Sequence, residues 1–139
     1  MRLVVVDASA SLAWAIADEQ AGPGPAHLLD MYYAAEVQLS APSVWEYEVA
    51  NALKVALIRG RATQAEALDG LGFLRGLGIQ LAAFQPLADL SWDLAVERRL
   101  SMYDASYLAL AQLRGCELCT GDKRLAEVAQ EVGVGVWAG

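Results

Sequence analysis

The sequence is poor in the residues that build disulfide frameworks and zinc sites. It has one histidine, His27, and two cysteines, Cys116 and Cys119. The cysteines flank Glu117 and Leu118 in a stretch that favours a buried strand, and side chains three positions apart in a strand point to opposite faces. We therefore expect unpaired structural cysteines rather than a redox pair or half of a zinc site.

Long uncharged runs are also absent. The longest stretch without Asp, Glu, Lys or Arg is 76–88, well short of the ~18 apolar residues that indicate a membrane span. The apolar start Leu3–Val6 is interrupted by Asp7 and makes a poor signal-peptide core. With 56% hydrophobic residues, the chain is too apolar for a disordered segment. We expect one soluble, cytoplasmic domain over 1–139, because domains typically have about 100–150 residues.

Basic residues are outnumbered, with 10 Lys and Arg against 17 Asp and Glu and a net charge of −7. Nucleic-acid-binding domains usually carry a basic footprint, so the total charge argues against such a partner. Local charge is a separate matter, because basic residues form three groups: Lys123-Arg124, Arg98-Arg99, and Arg59 with Arg61. Lys123 and Arg124 begin a predicted helix, where backbone amides also attract anions. Solvated helix ends remain the alternative interpretation.

Apolar runs and helical segments alternate along the chain. The predicted strands are Leu3–Val6, Val37–Ala41, Ile79–Phe84, Glu117–Thr120 and Val134–Trp137. This alternation predicts an α/β fold with a mostly parallel sheet of about five short strands flanked by helices. In such sheets, sites lie beyond the carboxyl ends of the strands.

Three aspartates stand at the ends of predicted elements. Asp7 directly follows the first strand, and Asp122 follows the fourth strand through Gly121, so both should lie at the same edge of the sheet. Asp104 opens a helix that is otherwise apolar. Local alternatives remain open for each residue: an Asx-turn for Asp7 and helix N-caps for Asp104 and Asp122.

One glutamate of the long helix predicted at about Ser43 to Arg59 also lacks a local explanation. Glu46 is at the spacing of a capping box with Ser43. Glu48 instead lies among apolar residues, with Asn51 one turn later on the same face. We expect Glu48 and Asn51 to face inward, with an exposed surface position as the alternative for Glu48.

Gathered carboxylates require a cation or protonation. Two unit charges about 4 Å apart repel by roughly 4 kcal/mol at an effective dielectric constant near 20. With no histidine or cysteine beside them, the ligands would be all oxygen, which favours Mg²⁺ or Mn²⁺ over Zn²⁺. The expected chemistry is metal-assisted hydrolysis of a phosphodiester.

Several motifs in this order resemble a known family. They are Val4-Val5-Val6-Asp7-Ala8-Ser9, Ala41-Pro42-Ser43, Glu48-Val49-Ala50-Asn51-Ala52-Leu53, Tyr103-Asp104-Ala105-Ser106-Tyr107-Leu108-Ala109-Leu110-Ala111 and Thr120-Gly121-Asp122. The ordered set resembles a PIN domain over essentially the whole chain. The closer resemblance is to the VapC-type toxins of bacterial toxin–antitoxin pairs.

The resemblance implies a fold, an activity and a set of site residues. It implies a parallel sheet between helices and a Mg²⁺- or Mn²⁺-dependent endoribonuclease, expected as a homodimer neutralised by a small antitoxin protein. The implied metal and catalytic residues are Asp7, Glu48, Asp104 and Asp122. Small polar groups that support them are Ser9, Asn51 and Thr120, and the candidate RNA contacts are Lys123 and Arg124.

Other functions remain as alternatives. A non-catalytic binding module of the same fold would dock a protein partner, and a PIN nuclease could act outside a toxin–antitoxin pair. A phosphoryl-receiver domain shares the length and the element order. It usually has an acidic pair at the end of strand one and an aspartate after a central strand. Here a single acid ends the first strand, and Ile79–Phe84 is followed by Gln85 and Pro86.

Overall fold

The computed structural model describes residues 1–16 and 22–138 and has a parallel sheet at its centre. The strand order is β3-β2-β1-β4, with β1 Arg2–Val6, β2 Val37–Pro42, β3 Gln80–Ala82 and β4 Glu117–Cys119. All three strand pairs are parallel, so the predicted α/β class is confirmed. Within the described residues, four strands form instead of about five, because the segment at Val136 makes only one bridge, to Leu118.

Helices connect the strands. They are α1 Ala8–Leu12, α2 Gly24–Tyr33, α3 Val44–Ile58, α4 Gln64–Gly76, α5 Ala88–Arg98, α6 Met102–Arg114 and α7 Lys123–Glu131, with a 3-10 turn at Gln85–Leu87 before α5. Within the described residues, no helix is long and apolar enough to cross a membrane.

The strand β1 and the helix α6 form the centre of the core. Val4, Val5 and Val6 are completely buried, as expected for the central strand of a sheet covered on both faces. The run Ala105–Ala111 of α6 is also buried, and α6 packs on β1, β2 and α5. These two elements therefore hold Asp7, which directly follows β1, and Asp104, in the first turn of α6, in a rigid frame.

The start of α3 differs from the capping box expected there. Ser43 has a helical backbone conformation (φ −57°, ψ −25°) and makes no side-chain cap, because a capping side chain requires an extended backbone. Its N–H instead donates to the Ala82 carbonyl at 2.8 Å, next to the end of β3. Glu46 is exposed. The interpretation of Glu46 as a capping residue was therefore wrong, although Glu46 does lie apart from the other acids.

Both cysteines are unpaired, as expected. Cys119 is buried at the end of β4, and burial raises the pKa of its thiol to about 12. Cys116 precedes the strand and is partly buried, and burial raises the pKa of its thiol as well. Neither thiol has the lowered pKa that makes a cysteine reactive.

Candidate active site

Asp7 lies at the carboxyl end of β1 and is 5% exposed. Its backbone N–H donates to the Cys119 carbonyl at 3.1 Å, which continues the pairing with β4. Its Oδ1 accepts the Ala10 N–H at 2.9 Å, so Asp7 is the N-cap of α1. The cap accounts for one of the hydrogen bonds of this carboxylate, and the side chains of Ser9 and Thr120 donate the others.

Two hydroxyl groups hold the Asp7 carboxylate. Ser9 Oγ donates to Oδ1 at 2.8 Å, and Thr120 Oγ1 donates to Oδ2. Each hydroxyl oxygen also accepts a backbone N–H from the loop after β4, that of Gly121 at 2.9 Å and that of Asp122 at 3.0 Å. The structure thus brings Ser9 and Thr120 to Asp7, where the sequence places supporting groups.

Asp104 and Asp122 occupy different positions at their helix starts. The N-cap of α6 is Ser101, whose Oγ accepts the Asp104 N–H at 3.0 Å. The half-buried Asp104 carboxylate is therefore not a cap. Asp122 is exposed and is the N-cap of α7, with its Oδ1 accepting the N–H groups of Arg124 and Leu125. Helix capping thus accounts for one carboxylate oxygen of Asp122 and does not account for the Asp104 carboxylate.

Glu48 projects from α3 towards α6 and is half-buried. The Tyr107 hydroxyl donates to Glu48 Oε1 at 2.7 Å. The side chain of Asn51, in contrast, is exposed and makes no hydrogen bond to a described residue. Its predicted inward orientation was wrong, because a residue three positions along a helix is rotated by roughly 60°, enough to leave the face that meets α6.

The electrostatics of the cluster are repulsive. Burial raises the pKa of Asp7, Glu48 and Asp104. Asp104 raises the pKa of Asp7 and of Glu48 further, Asp7 adds to the shift of Glu48, and Asp122 raises the pKa of Asp104. Hydrogen bonds from Thr120, Tyr107 and Ser101 act in the opposite direction without reversing these shifts. No lysine or arginine in the described ranges contributes to them.

The donors at this edge of the sheet suit a hard divalent cation. They are carboxylate oxygens, which Mg²⁺ and Mn²⁺ prefer. Asp7 accepts three hydrogen bonds, whereas a carboxylate has about four lone-pair sites. In residues 1–16 and 22–138, no three His, Cys, Asp or Glu side chains are close enough to hold an ion by themselves. A cation would therefore bind partly through water, which is usual for Mg²⁺.

Comparison with known proteins identifies the family of this chain. The PIN domain family matches residues 4–131. The chain belongs to the PIN domain family. A VapC ribonuclease of Mycobacterium bovis is 34% identical over 128 residues, which cover 92% of each chain. Ribonuclease VapC3 of Pyrobaculum aerophilum is 33% identical over 128 residues, 89% of this chain and 92% of that protein. Within the PIN domain family, the chain groups with the VapC proteins.

Solved structures show the same fold. The PAE2754 protein of Pyrobaculum aerophilum aligns with a TM-score of 0.70 and 31% identity, over 91% of this chain and 79% of that one. VapC20 of Mycobacterium tuberculosis, described as a toxin that cleaves the sarcin-ricin loop, aligns with a TM-score of 0.66 and 15% identity, over 94% and 95%. The predicted PIN-like fold is therefore confirmed.

The PIN domain also contains a buried hydrogen-bond chain that the sequence does not reveal. Trp45 Nε1 donates to Ser11 Oγ at 2.9 Å, and Ser11 Oγ donates to the Asp7 carbonyl at 2.7 Å. Trp45 lies one turn before Glu48 on α3, and both Trp45 and Ser11 are buried. These two hydrogen bonds therefore connect α3, the helix that carries Glu48, to the backbone of Asp7 directly after β1. The contact of Tyr107 with Glu48 was also not predicted from the sequence, because a buried aromatic side chain is usual in a core helix and does not indicate a role at the site.

The basic residues near the cluster divide into two kinds. Arg124 Nη2 donates to the Arg98 carbonyl at 2.8 Å, and Arg98 forms an ion pair with Glu131 at 3.0 Å. Lys123 and Arg99 are exposed. Of the two candidate RNA contacts, Arg124 thus has an intramolecular partner in this PIN domain, whereas Lys123 extends into solvent at the start of α7.

Proposed function

We propose that this PIN domain, comprising the whole chain, is a divalent-cation-dependent endoribonuclease and the cytoplasmic toxin of a toxin–antitoxin pair. The observation that carries the proposal is the convergence of Asp7, Glu48 and Asp104, without a basic partner in the described ranges, at the carboxyl edge of the sheet. Such a cluster is electrostatically incomplete until a cation joins it. The VapC names of the relatives support RNA as the substrate.

Each acid has a distinct part in holding the cation. Asp7, which directly follows β1, and Asp104, in the first turn of α6, would be direct ligands of Mg²⁺ or Mn²⁺. Glu48 and the exposed Asp122 would complete the site, in part through water. The chemistry that such an ion supplies is activation of water and neutralisation of negative charge on the phosphate. Asn51 is left out of this set because its exposed side chain makes no hydrogen bond to the acids, whereas the charge of Asp122 acts on Asp104.

Side chains around the acids would keep them in place during the reaction. Ser9 and Thr120 orient both oxygens of the Asp7 carboxylate. The same hydroxyls hold the backbone of the loop that carries Asp122. The site is therefore braced from β1, β4 and the start of α7 together, which suits a reaction that depends on positioning.

Substrate binding must overcome a net charge of −7. We propose that Lys123, which is exposed at the start of α7, contacts a phosphate. Arg124 has spare donors after bonding the Arg98 carbonyl, so it can add a second contact. With so few basic groups, non-specific affinity should be weak, and selectivity should come from RNA shape or from unpaired bases.

Two protein partners complete the proposal. A small antitoxin protein would occupy and inactivate the acidic site, and a second copy of the chain would form a homodimer. Trp92 is 62% exposed on α5, and Val96 one turn later is also 62% exposed. An exposed apolar pair of this kind is compatible with contact between two copies.

The test is cleavage of labelled RNA by protein purified free of antitoxin, with Mg²⁺, with Mn²⁺ or with EDTA. Wild type should cut in the presence of either ion and not with EDTA. Asp104→Asn should remove the activity, whereas the matched change Asp30→Asn, at an exposed aspartate of α2, should leave it unchanged. Cleavage by Asp104→Asn at the wild-type rate would refute the assignment of the site. No cleavage by wild type under any condition would favour the binding-module alternative.

A further inference from the structure

The hydroxyl of Tyr107 is placed to act on the acidic site. The phenol ring is 1% exposed, within the buried run of α6. Tyr107 follows Asp104 by three residues, so one turn of the same helix carries both groups. The hydroxyl donates to Glu48 Oε1 at 2.7 Å, which is a normal length for a strong O–H to carboxylate bond. A hydrogen bond thus connects α6 directly to the glutamate of α3.

Glu48 requires such a partner to stay where it is. It is half-buried, and the nearby charges that act on it are those of Asp104 and Asp7, both of which repel it. A glutamate has three side-chain torsions and would relieve the repulsion by turning towards solvent. Within residues 1–16 and 22–138, the Tyr107 hydroxyl is the hydrogen-bond donor to this carboxylate, and Oε2 has no protein partner.

We infer that Tyr107 is a positioning residue that holds Glu48 Oε1 and thereby directs Oε2 towards the cation site between the acids. The inference rests on the proposed function, since it concerns the cation that the acids would bind. Groups that orient metal-binding carboxylates commonly change metal affinity by about 10- to 100-fold when they are removed. The rigid packing of α6 makes Tyr107 suited to this role, because its ring cannot follow a glutamate that swings away.

The test measures Mn²⁺ binding to the metal-free protein by titration calorimetry. Tyr107→Phe deletes the hydroxyl and keeps the buried ring. We expect its Mn²⁺ affinity to fall by about 10-fold or more. The control is Tyr32→Phe, which removes a hydroxyl that accepts the Gly78 N–H at 2.8 Å near the amino ends of β2 and β3. It should bind Mn²⁺ as wild type does, and thermal unfolding should show that both variants are folded.

A double-mutant cycle separates positioning from a general effect on packing. If Tyr107 acts through Glu48, adding Tyr107→Phe to the Glu48→Gln variant should leave its Mn²⁺ affinity almost unchanged. In RNA cleavage, Tyr107→Phe should raise the Mn²⁺ concentration needed for half-maximal rate and approach the wild-type rate at saturating Mn²⁺. The metal requirement would then shift without an equal loss at saturation, which a loss of folding does not produce.

Each outcome decides between the two proposals. Mn²⁺ binding by wild type and undiminished binding by Tyr107→Phe would overturn the positioning role and leave the proposed nuclease intact. The positioning role would also be overturned if Tyr107→Phe lowered Mn²⁺ affinity equally in the wild-type and Glu48→Gln backgrounds. The effect would then not pass through Glu48. Absence of Mn²⁺ binding by wild type would refute the cation site, and both proposals would fall with it.

Discussion

Asp7→Asn should make the protein more stable when no divalent cation is present. Asp7 is buried, and its pKa is raised by burial and by Asp104, despite hydrogen bonds from Thr120, Ala10 and Ser9 that lower it. The raised pKa means that the folded state disfavours the charged carboxylate, on balance, relative to the unfolded chain. An amide of the same shape removes the charge and keeps Oδ1 as an acceptor for Ser9 and Ala10.

The expected change in the free energy of unfolding of Asp7→Asn is the difference between two opposing contributions. The amide nitrogen would face Thr120 Oγ1, whose hydroxyl must turn away, and exchanging a charged for a neutral hydrogen bond costs about 1 kcal/mol. Removing a buried, repelled charge recovers part of a desolvation penalty of several kcal/mol. We expect a net gain on the order of 1–2 kcal/mol, which raises Tm by about 3–8 °C in a domain of this size.

The pH dependence has a definite sign. The folded-state pKa of Asp7 lies above its ordinary value of 3.8. Stability that depends on the protonated carboxyl is fully present below 3.8 and is lost as the pH rises through the higher folded-state value. Wild type and Asp7→Asn should therefore have similar stability at acidic pH and diverge towards neutral pH, with the variant the more stable.

The assay is thermal unfolding of both proteins in EDTA and in Mn²⁺, at several pH values. At a Mn²⁺ concentration about 100-fold above Kd, wild type should gain about 2.7 kcal/mol, so that the order of stability reverses. Asp7→Asn should gain much less, because it lacks a charged ligand. A variant less stable than wild type in EDTA at neutral pH would refute the reasoning, because the donors around Asp7 would then outweigh burial and repulsion.

Two further predictions concern the surroundings of the acids. Trp45→Phe removes the indole donor to Ser11 Oγ and leaves a small void, so urea unfolding should show a loss of about 2–4 kcal/mol; a loss within error would show that this bond contributes nothing. Lys123→Ala should weaken RNA binding at unchanged stability and reduce its salt dependence by about one phosphate contact, as measured by anisotropy titrations at several salt concentrations. Arg124→Ala should instead lower stability by about 1 kcal/mol, since its guanidinium bonds the Arg98 carbonyl. Unchanged salt dependence in Lys123→Ala would remove that residue from the RNA surface.

The strand and helix ends near the site could be predicted because local patterns specify them. The run Val4–Val6 is apolar on both faces, which only the central strand of a covered sheet can bury, and Asp7 must then emerge at its carboxyl end. The apolar helix after Asp104 likewise has to be a core helix. The start of α4 is specified just as locally, since Thr63 and Glu66 lie three positions apart and form a capping box. In each case, residues that are close together in the sequence are sufficient to specify where the strand or helix begins or ends.

The predictions for Glu46 and Asn51 were wrong because they depend on how α3 packs against the rest of the domain. Glu46, Glu48 and Asn51 are all polar residues of one helix, and sequence spacing alone allows several inward faces. The hydrogen bond from Trp45 to Ser11 and the contact of Glu48 with Tyr107 select one of them. Both contacts join residues far apart in the chain, so no local pattern could have shown that Asn51 is exposed.

The sequence by itself determined the α/β class, the parallel sheet and the strand end at which Asp7 stands, because hydrophobic periodicity and strand order act over short distances along the chain. The tertiary structure decided which polar groups meet. It brought Thr120 to Asp7 and Tyr107 to Glu48, and it turned the Arg124 guanidinium towards a carbonyl. Such contacts depend on the packing of β1, α3 and α6 against one another, and a carboxylate acquires its partners and its charge balance only when those elements meet.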